Sequence, residues 1–162
     1  MKILIVYYSR TGKNKKLALE LATKIKADTE ELIDRANRNG LLGYLRGGRD
    51  AWRKKETSLK SLEKNPADYD LVIFMSPLWA AVMAPAVRTY VKQNLGKIKQ
   101  AALISISGGG ECNFNKKAPL DFRVAVNRPE APVLLLSEKE IENTVTQNKI
   151  NTFIKSLNLS LI

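Results

Sequence analysis

The sequence contains no histidine and a single cysteine, Cys112. That removes imidazole general-base catalysis, zinc sites built from thiolates and imidazoles, and any intrachain disulfide. Long apolar runs are missing too. The longest, such as Leu71–Met75 and Val133–Leu136, fall far short of the roughly 20 residues that cross a bilayer. The N-terminus leads within two residues into an apolar run, without the basic region, long apolar core and small-residue cleavage site of a signal peptide, so a cytoplasmic protein is expected. Nucleotide fingerprints are absent: no GxGxxG follows the first apolar run and no GxxxxGK occurs. Where a phosphoryl-accepting receiver carries acids, this chain has Tyr7, Tyr8 and Ser9 in one place and Met75 and Ser76 in the other. Cys112 lacks the downstream arginine loop of a cysteine phosphatase and reads as a bystander, with a redox thiol as the alternative. Acids are scarce relative to bases, 16 against 27, which leaves a formal charge of +11. Such a surplus draws anionic ligands, nucleic acid or acidic protein surfaces, and a solvated lysine coat accounts for it equally well.

What is present is an ordinary apolar fraction, 44 % of 162 residues, enough for one well-cored domain spanning 1–162. Ile3 to Val6 is a continuous apolar run, as in a parallel strand covered on both faces. From Lys15 onward, Leu17, Ala18, Leu21, Ala22 and Ile25 recur at helical spacing. Thr29 to Ile33 is a short second strand with weak alternation. Asn37 to Thr57 interrupts the rhythm with four glycines, several leucines, Tyr44, Trp52 and six cations. It reads as a helical or partly helical excursion weakened at Gly47 and Gly48, with Tyr44 and Trp52 among the leucines as if in a helix core. Asp70 to Met75 is the clearest buried strand, and Pro85 opens a helix through Ala86, Val87, Tyr90 and Val91. Ala101 to Ile106 is the next strand. Pro119 is placed to start a modest helix within the polar segment 113–128. Val133 to Leu136 is the last strand, and Ser137 with Glu140 forms a capping box for a terminal helix carrying Ile141 to Leu157. Strands alternating with helices at this spacing predict an α/β fold, a five-stranded parallel sheet in a three-layer α/β/α sandwich.

In such sheets ligands bind at the carboxyl ends of the strands, near the point where strand order reverses. Three loops leave those ends. The first, Ser9 to Asn14, offers the hydroxyls of Ser9 and Thr11, the flexible Gly12 and the amides of a helix start, a set that suits a phosphate dianion or an ordinary capped turn. The second, Ser76 to Met83, places Trp79 beside Pro77, Leu78 and Ala80, where it can stack on a flat heteroaromatic ring or fill the core. The third, Ser107 to Glu111, lets the backbone approach a planar ligand closely.

YYSRTGKNKKLA, PLWAAVMAPAVRTYV and ISGGGE resemble the three FMN-contacting loops of the flavodoxin family, in order and spacing over nearly the whole chain. The resemblance implies a flavodoxin-like fold with strand order 2-1-3-4-5 and FMN as the cofactor. It implies that Ser9, Arg10, Thr11, Gly12, Lys13 and Asn14 hold the phosphate. By the same resemblance Pro77, Leu78, Trp79 and Ala80 face the isoalloxazine, and Ser107, Gly108, Gly109 and Gly110 complete the third contact. Asn14 stands where the family usually has a further threonine, and the chain is basic where electron-carrier flavodoxins are acidic. Positive charge near the flavin stabilises its anionic reduced form, which disfavours a very low-potential carrier.

Two functions follow. In the first, FMN takes electrons from a nicotinamide cofactor or a protein donor and passes them to a quinone, a flavin or a protein acceptor. No side chain then needs to be a catalytic acid or base, and no metal is called for. In the second, a non-enzymatic module uses the basic segment 35–55 to bind an acidic protein or nucleic acid. The few aromatics there disfavour nucleic acid.

Overall fold

Ile3–Tyr7 forms β1, an interior strand whose five consecutive apolar side chains are all buried because each face of the sheet carries a core. Ile3, Ile5 and Tyr7 point into one core, Leu4 and Val6 into the other. A computed structural model of the chain describes residues 1–38, 40–108, 114–139, 141 and 143–159. The remaining strands are β2 (Asp28–Glu31), β3 (Leu71–Trp79), β4 (Val82–Met83), β5 (Ala101–Ser107) and β6 (Val133–Ser137). The helices are α1 (Lys13–Ile25), α2 (Gly40–Trp52), α3 (Pro85–Asn94), α4 (Phe114–Val126) and α5 (Thr144–Ser156).

Five strands pair in parallel in the order β2-β1-β3-β5-β6, and β4 folds back antiparallel on the end of β3. Counting the parallel strands alone, this is the expected 2-1-3-4-5. α1 and α5 cover one face through residues such as Leu17, Leu21, Ile150 and Ile154. α2, α3 and α4 cover the other through Ala51, Tyr90 and Phe122. The result is the three-layer sandwich that the alternation of elements implies.

Several local expectations are corrected. β2 lies at 28–31 rather than 29–33, and its alternation is weak because it is an edge strand with a buried acid. Glu30 turns inward, and its carboxylate accepts from the Glu63 and Lys64 amides at 3.2 and 2.7 Å. The excursion at 37–57 is partly helical, as expected, but its thirteen-residue helix, Gly40–Trp52, runs unbroken through Gly47 and Gly48. Its burial runs opposite to expectation: Gly43, Gly47 and Ala51 face the body, while Tyr44 and Trp52 are exposed. Pro119 lies inside α4 and does not start it. α5 begins at Thr144, where the Asn143 side chain accepts from the Val145 amide at 3.0 Å. Ser137 instead ends β6, and Glu140, its expected capping partner, lies outside the described residues.

The β2 edge also sets an alkaline limit on stability. The Tyr7 hydroxyl donates to Glu31 at 3.2 Å and the Tyr69 hydroxyl to Asp28 at 2.8 Å. Burial, then these carboxylates, pushes both phenols up to about 12 from 10.0. Burial and Asp34 do the same to Tyr8, against opposition from Arg38 and Arg10. A raised phenol pKa means that the folded state keeps protons that the unfolded chain releases. The stability these groups contribute is therefore full below pH 10 and is lost as pH climbs through 12. Melting temperature followed by circular dichroism is expected to fall across that window; a flat profile would contradict the assignment.

Candidate functional site

At the carboxyl ends of β1, β3 and β5 the three loops converge on one cavity of about 570 Å³. This is within the range of small-molecule and cofactor sites. Of the predicted residues, Arg10, Thr11, Lys13, Asn14, Pro77, Leu78, Trp79, Ala80, Ser107 and Gly108 line it. Ser9 and Gly12 belong to the same first loop without lining the cavity. Gly109 and Gly110, and with them Cys112, lie outside the described residues.

The first loop turns on Gly12, whose φ of 88° lies in the left-handed region where a side chain is strained. That turn starts α1 without a side-chain cap and without an acid in its first turn. Lys16 N–H closes the first helical bond onto the Gly12 carbonyl at 2.9 Å. The amides before it are left for an external acceptor. Two buried side-chain atoms of this loop also have no hydrogen-bond partner, Ser9 Oγ and Asn14 Oδ1. Buried polar atoms are nearly always paired, so two orphans in one loop mark a place built for something polar. Ser9 Oγ–H can donate to an anion; Asn14 Oδ1 requires a donor such as a hydroxyl.

The second loop is not a loop for most of its length. β3 runs on through Trp79, and Ala80 and Ala81 make a two-residue hairpin turn into β4 with φ of 51° and 65°. Positive φ at both positions is what such turns require, and alanine accepts it only under strain. The hairpin is tied down from below. Ser76 Oγ accepts from the Ala84 amide at 3.1 Å, and the buried Asp121 of α4 accepts from the Met83 amide at 3.3 Å and from Arg88 at 2.5 Å.

Trp79 is packed harder than a free stacking platform. Its ring meets Tyr8 edge-on at 5.6 Å between centroids. A Cβ added at Gly47 of α2 would come within 2.7 Å of the same ring. The Arg38 guanidinium lies 6.0 Å over it. Trp79 therefore fills core, as one of the two sequence readings has it, and also forms part of the cavity wall. The exposed aromatic at the rim is Tyr44, which carries the Arg10 guanidinium 5.2 Å above its ring.

Ala81 of the second loop lines the cavity too, and so do Tyr44, Ile106 and Glu138, which sequence reasoning did not assign to the site. Tyr44 arrives from a helix that the pattern did not orient. Glu138 follows β6, the fourth strand end at this rim, and pairs with Lys13 at 3.0 Å. Among the described residues the charged side chains in the wall are thus Arg10 and Lys13 against Glu138, one positive charge in excess, placed on the side of the Ser9–Asn14 loop.

Arg38 holds α2 against this wall. It donates from Nε to Asp34 at 2.9 Å and from Nη1 to Asp50 of α2 at 2.7 Å, all three side chains being largely buried. Burial opposes the charge on Arg38, but hydrogen bonds to Asp50 and Asp34 outweigh it and raise its pKa. Burial likewise opposes the charge on Asp50, and Arg38 more than offsets it, holding that carboxyl below its usual range.

No protein-family model matches the chain, and no curated protein does. Solved structures do. A flavoprotein in complex with FMN from Lactobacillus acidophilus NCFM is 22 % identical with a TM-score of 0.63, over 87 % of this chain and 96 % of that one. A Fusobacterium nucleatum flavodoxin bound to flavin mononucleotide is 12 % identical with a TM-score of 0.58, over 97 % and 96 %. The apo form of an NADH:FMN oxidoreductase, EMOB, is 13 % identical with a TM-score of 0.60, over 99 % and 91 %. At these identities the likeness is one of architecture, and the architecture of this chain is the flavodoxin-like fold.

Proposed function

We propose that the cavity binds FMN and that the chain is a redox flavoprotein, passing electrons from a nicotinamide cofactor or protein donor to a quinone, flavin or protein acceptor. The observation that carries this is a single cavity whose wall joins the cationic start of α1, Arg10, Thr11, Lys13 and the orphaned Asn14 Oδ1, to the apolar Pro77, Leu78, Trp79 and Ala80, with a second orphan, Ser9 Oγ, in the same loop. One end of the site is suited to an anion and the other to a flat ring.

In this reading Ser9, Thr11 and the amides entering α1 bind the phosphate, with Arg10 and Lys13 supplying charge. Asn14 Oδ1 takes a ribityl hydroxyl. Pro77, Leu78, Trp79 and Ala80 exclude water from the ring, and Ser107 with Gly108 closes the far side. Bound FMN supplies the one- and two-electron chemistry. The chain's part is binding, orientation and electrostatics, and it needs no acid or base of its own. The Lys13–Glu138 pair limits how much positive charge the first loop presents.

Titration of the purified chain with FMN, followed by flavin fluorescence and calorimetry, tests the reading. Several hydrogen bonds to a dianion sum to a Kd of about 1 μM or below. A chain that leaves FMN fluorescence unchanged at far higher concentration would reject it. The structural likenesses support the reading in that two of the similar proteins were solved with FMN bound.

A further inference from the structure

The packing of α2 leaves its apolar side chains without any cover. At about 100° per residue, Leu41, Leu45 and Trp52 fall within about 40° of one another on the side opposite Gly43, Gly47 and Ala51. Leu41 is 73 % exposed, Leu42 80 % and Trp52 63 %. Arg46 and Arg49 project from the flank beside this stripe, Arg53 follows directly on the helix's last residue, and all three are exposed. The helix's one acid, Asp50, is turned inward and held by Arg38. Arg49 reaches the other oxygen of Asp50 at 3.7 Å, whereas Arg46 and Arg53 make no ion pair among the described residues. The outward face is thus Leu41, Leu45 and Trp52, with Leu42 among the arginines on one flank and a long Arg49–Asp50 contact as the one ion pair there among the described residues.

We propose that the outer face of α2 docks onto a lipid bilayer surface carrying anionic headgroups. Amphipathic interfacial helices have this composition, with aliphatic residues and tryptophan entering the headgroup and acyl boundary and arginines at its edge. The charge complementarity extends to the whole chain, whose net charge is +11. A protein helix as partner is disfavoured because the stripe presents projecting side chains, whereas helix recognition requires a groove to receive them. A second copy of the chain is disfavoured because apposing two such faces brings the arginine flanks toward each other. A planar anionic interface meets neither obstacle. Tyr44, on the other flank of the same helix, lines the cavity, so docking brings the cavity rim near the lipid.

The test uses the full chain and vesicles of phosphatidylcholine alone or mixed with phosphatidylglycerol, with cosedimentation as the readout and no FMN required. The expected result is binding to the mixed vesicles only, weakened by salt. Tryptophan emission should shift to the blue on binding, and the shift should vanish in Trp52→Phe, which leaves Trp79 as the remaining indole. Leu42→Glu with Leu45→Glu is expected to lower partitioning by at least about 100-fold, as is the triple replacement of Arg46, Arg49 and Arg53 by glutamate. These positions face solvent, so circular dichroism and urea midpoints should match the parent chain. If the glutamates perturb folding, Leu42→Ser with Leu45→Ser reads the same question. Partitioning that survives the leucine replacements would overturn the proposal as adsorption of a basic protein. Equal binding to pure phosphatidylcholine would overturn the requirement for anionic lipid. Sedimentation equilibrium showing a dimer that the leucine variants dissolve would assign the face to a second copy instead, and an absence of vesicle binding would end the case. Because FMN is absent from every arm, each outcome is independent of the cofactor reading.

Discussion

Ser9→Ala combined with Thr11→Ala is expected to weaken FMN binding by about 100- to 10,000-fold, since hydrogen bonds to a charged partner contribute about 1.5–3 kcal/mol each and about 1.4 kcal/mol is tenfold. The same double variant should leave the apo chain as stable as before, or slightly more so. Ser9 Oγ is buried without a partner, and deleting an unsatisfied polar atom removes a desolvation penalty and breaks no bond. The opposed signs separate a binding hydroxyl from a structural one. Calorimetric FMN titration beside urea unfolding of the apo chain reads both. Retained affinity would show that Ser9 and Thr11 do not hold the phosphate; a large loss of apo stability would show that Ser9 caps the turn.

The second large effect concerns Arg38. Its replacement by methionine removes the partner shared by Asp34 and Asp50 and leaves two carboxylates largely out of water. Breaking a buried ion pair from one side costs about 3–5 kcal/mol, a large part of the roughly 5–15 kcal/mol that holds a domain folded. Asp34 keeps the Ala36 amide and the Thr57 hydroxyl, at 2.8 and 2.5 Å, and Asp50 is the more exposed acid, so the lower end of that range is expected. Urea unfolding measures it. Arg38→Lys should recover only part, because an ammonium cannot direct two N–H groups at two acids in a fixed fork. Trp79 emission should change in both variants, as the guanidinium lies over its ring. A loss under about 1 kcal/mol would mean that backbone packing alone seats α2.

The sheet was legible because its strands are buried on both faces and read as unbroken apolar runs; Ile3–Tyr7 and Leu71–Met75 could be little else. The cationic end of the cavity, where the proposed phosphate would sit, was legible as a strand-to-helix turn for a related reason. Ser9, Thr11 and Gly12 follow a strand directly and precede a helix, so one short segment carries the whole local signal. What was not legible depended on contacts distant in sequence. β2 resisted because Glu30 is satisfied by amides more than thirty residues away. The β3–β4 hairpin was hidden because Ala80–Ala81 lacks the glycine or asparagine that usually marks a turn with positive φ. Tyr44 and Glu138 reach the cavity from elements whose orientation no local pattern fixes. α2 was oriented backwards for the plainest reason. Its leucines and aromatics suggested a core, whereas the space beneath it is occupied by Trp79 and the Arg38 backbone and admits only residues with little or no side chain.

That inverted helix separates two pressures that a surface helix ordinarily carries on the same residues. A Cβ at Gly43 would lie 2.3 Å from the Arg38 carbonyl carbon and one at Gly47 2.7 Å from the Trp79 ring, so the inner row answers to clearance against what lies beneath it. The outer row bears no load in the fold. Its leucines and tryptophan can be rewritten for a different environment without renegotiating the architecture, and the helix serves as an interchangeable tread on a fixed wheel.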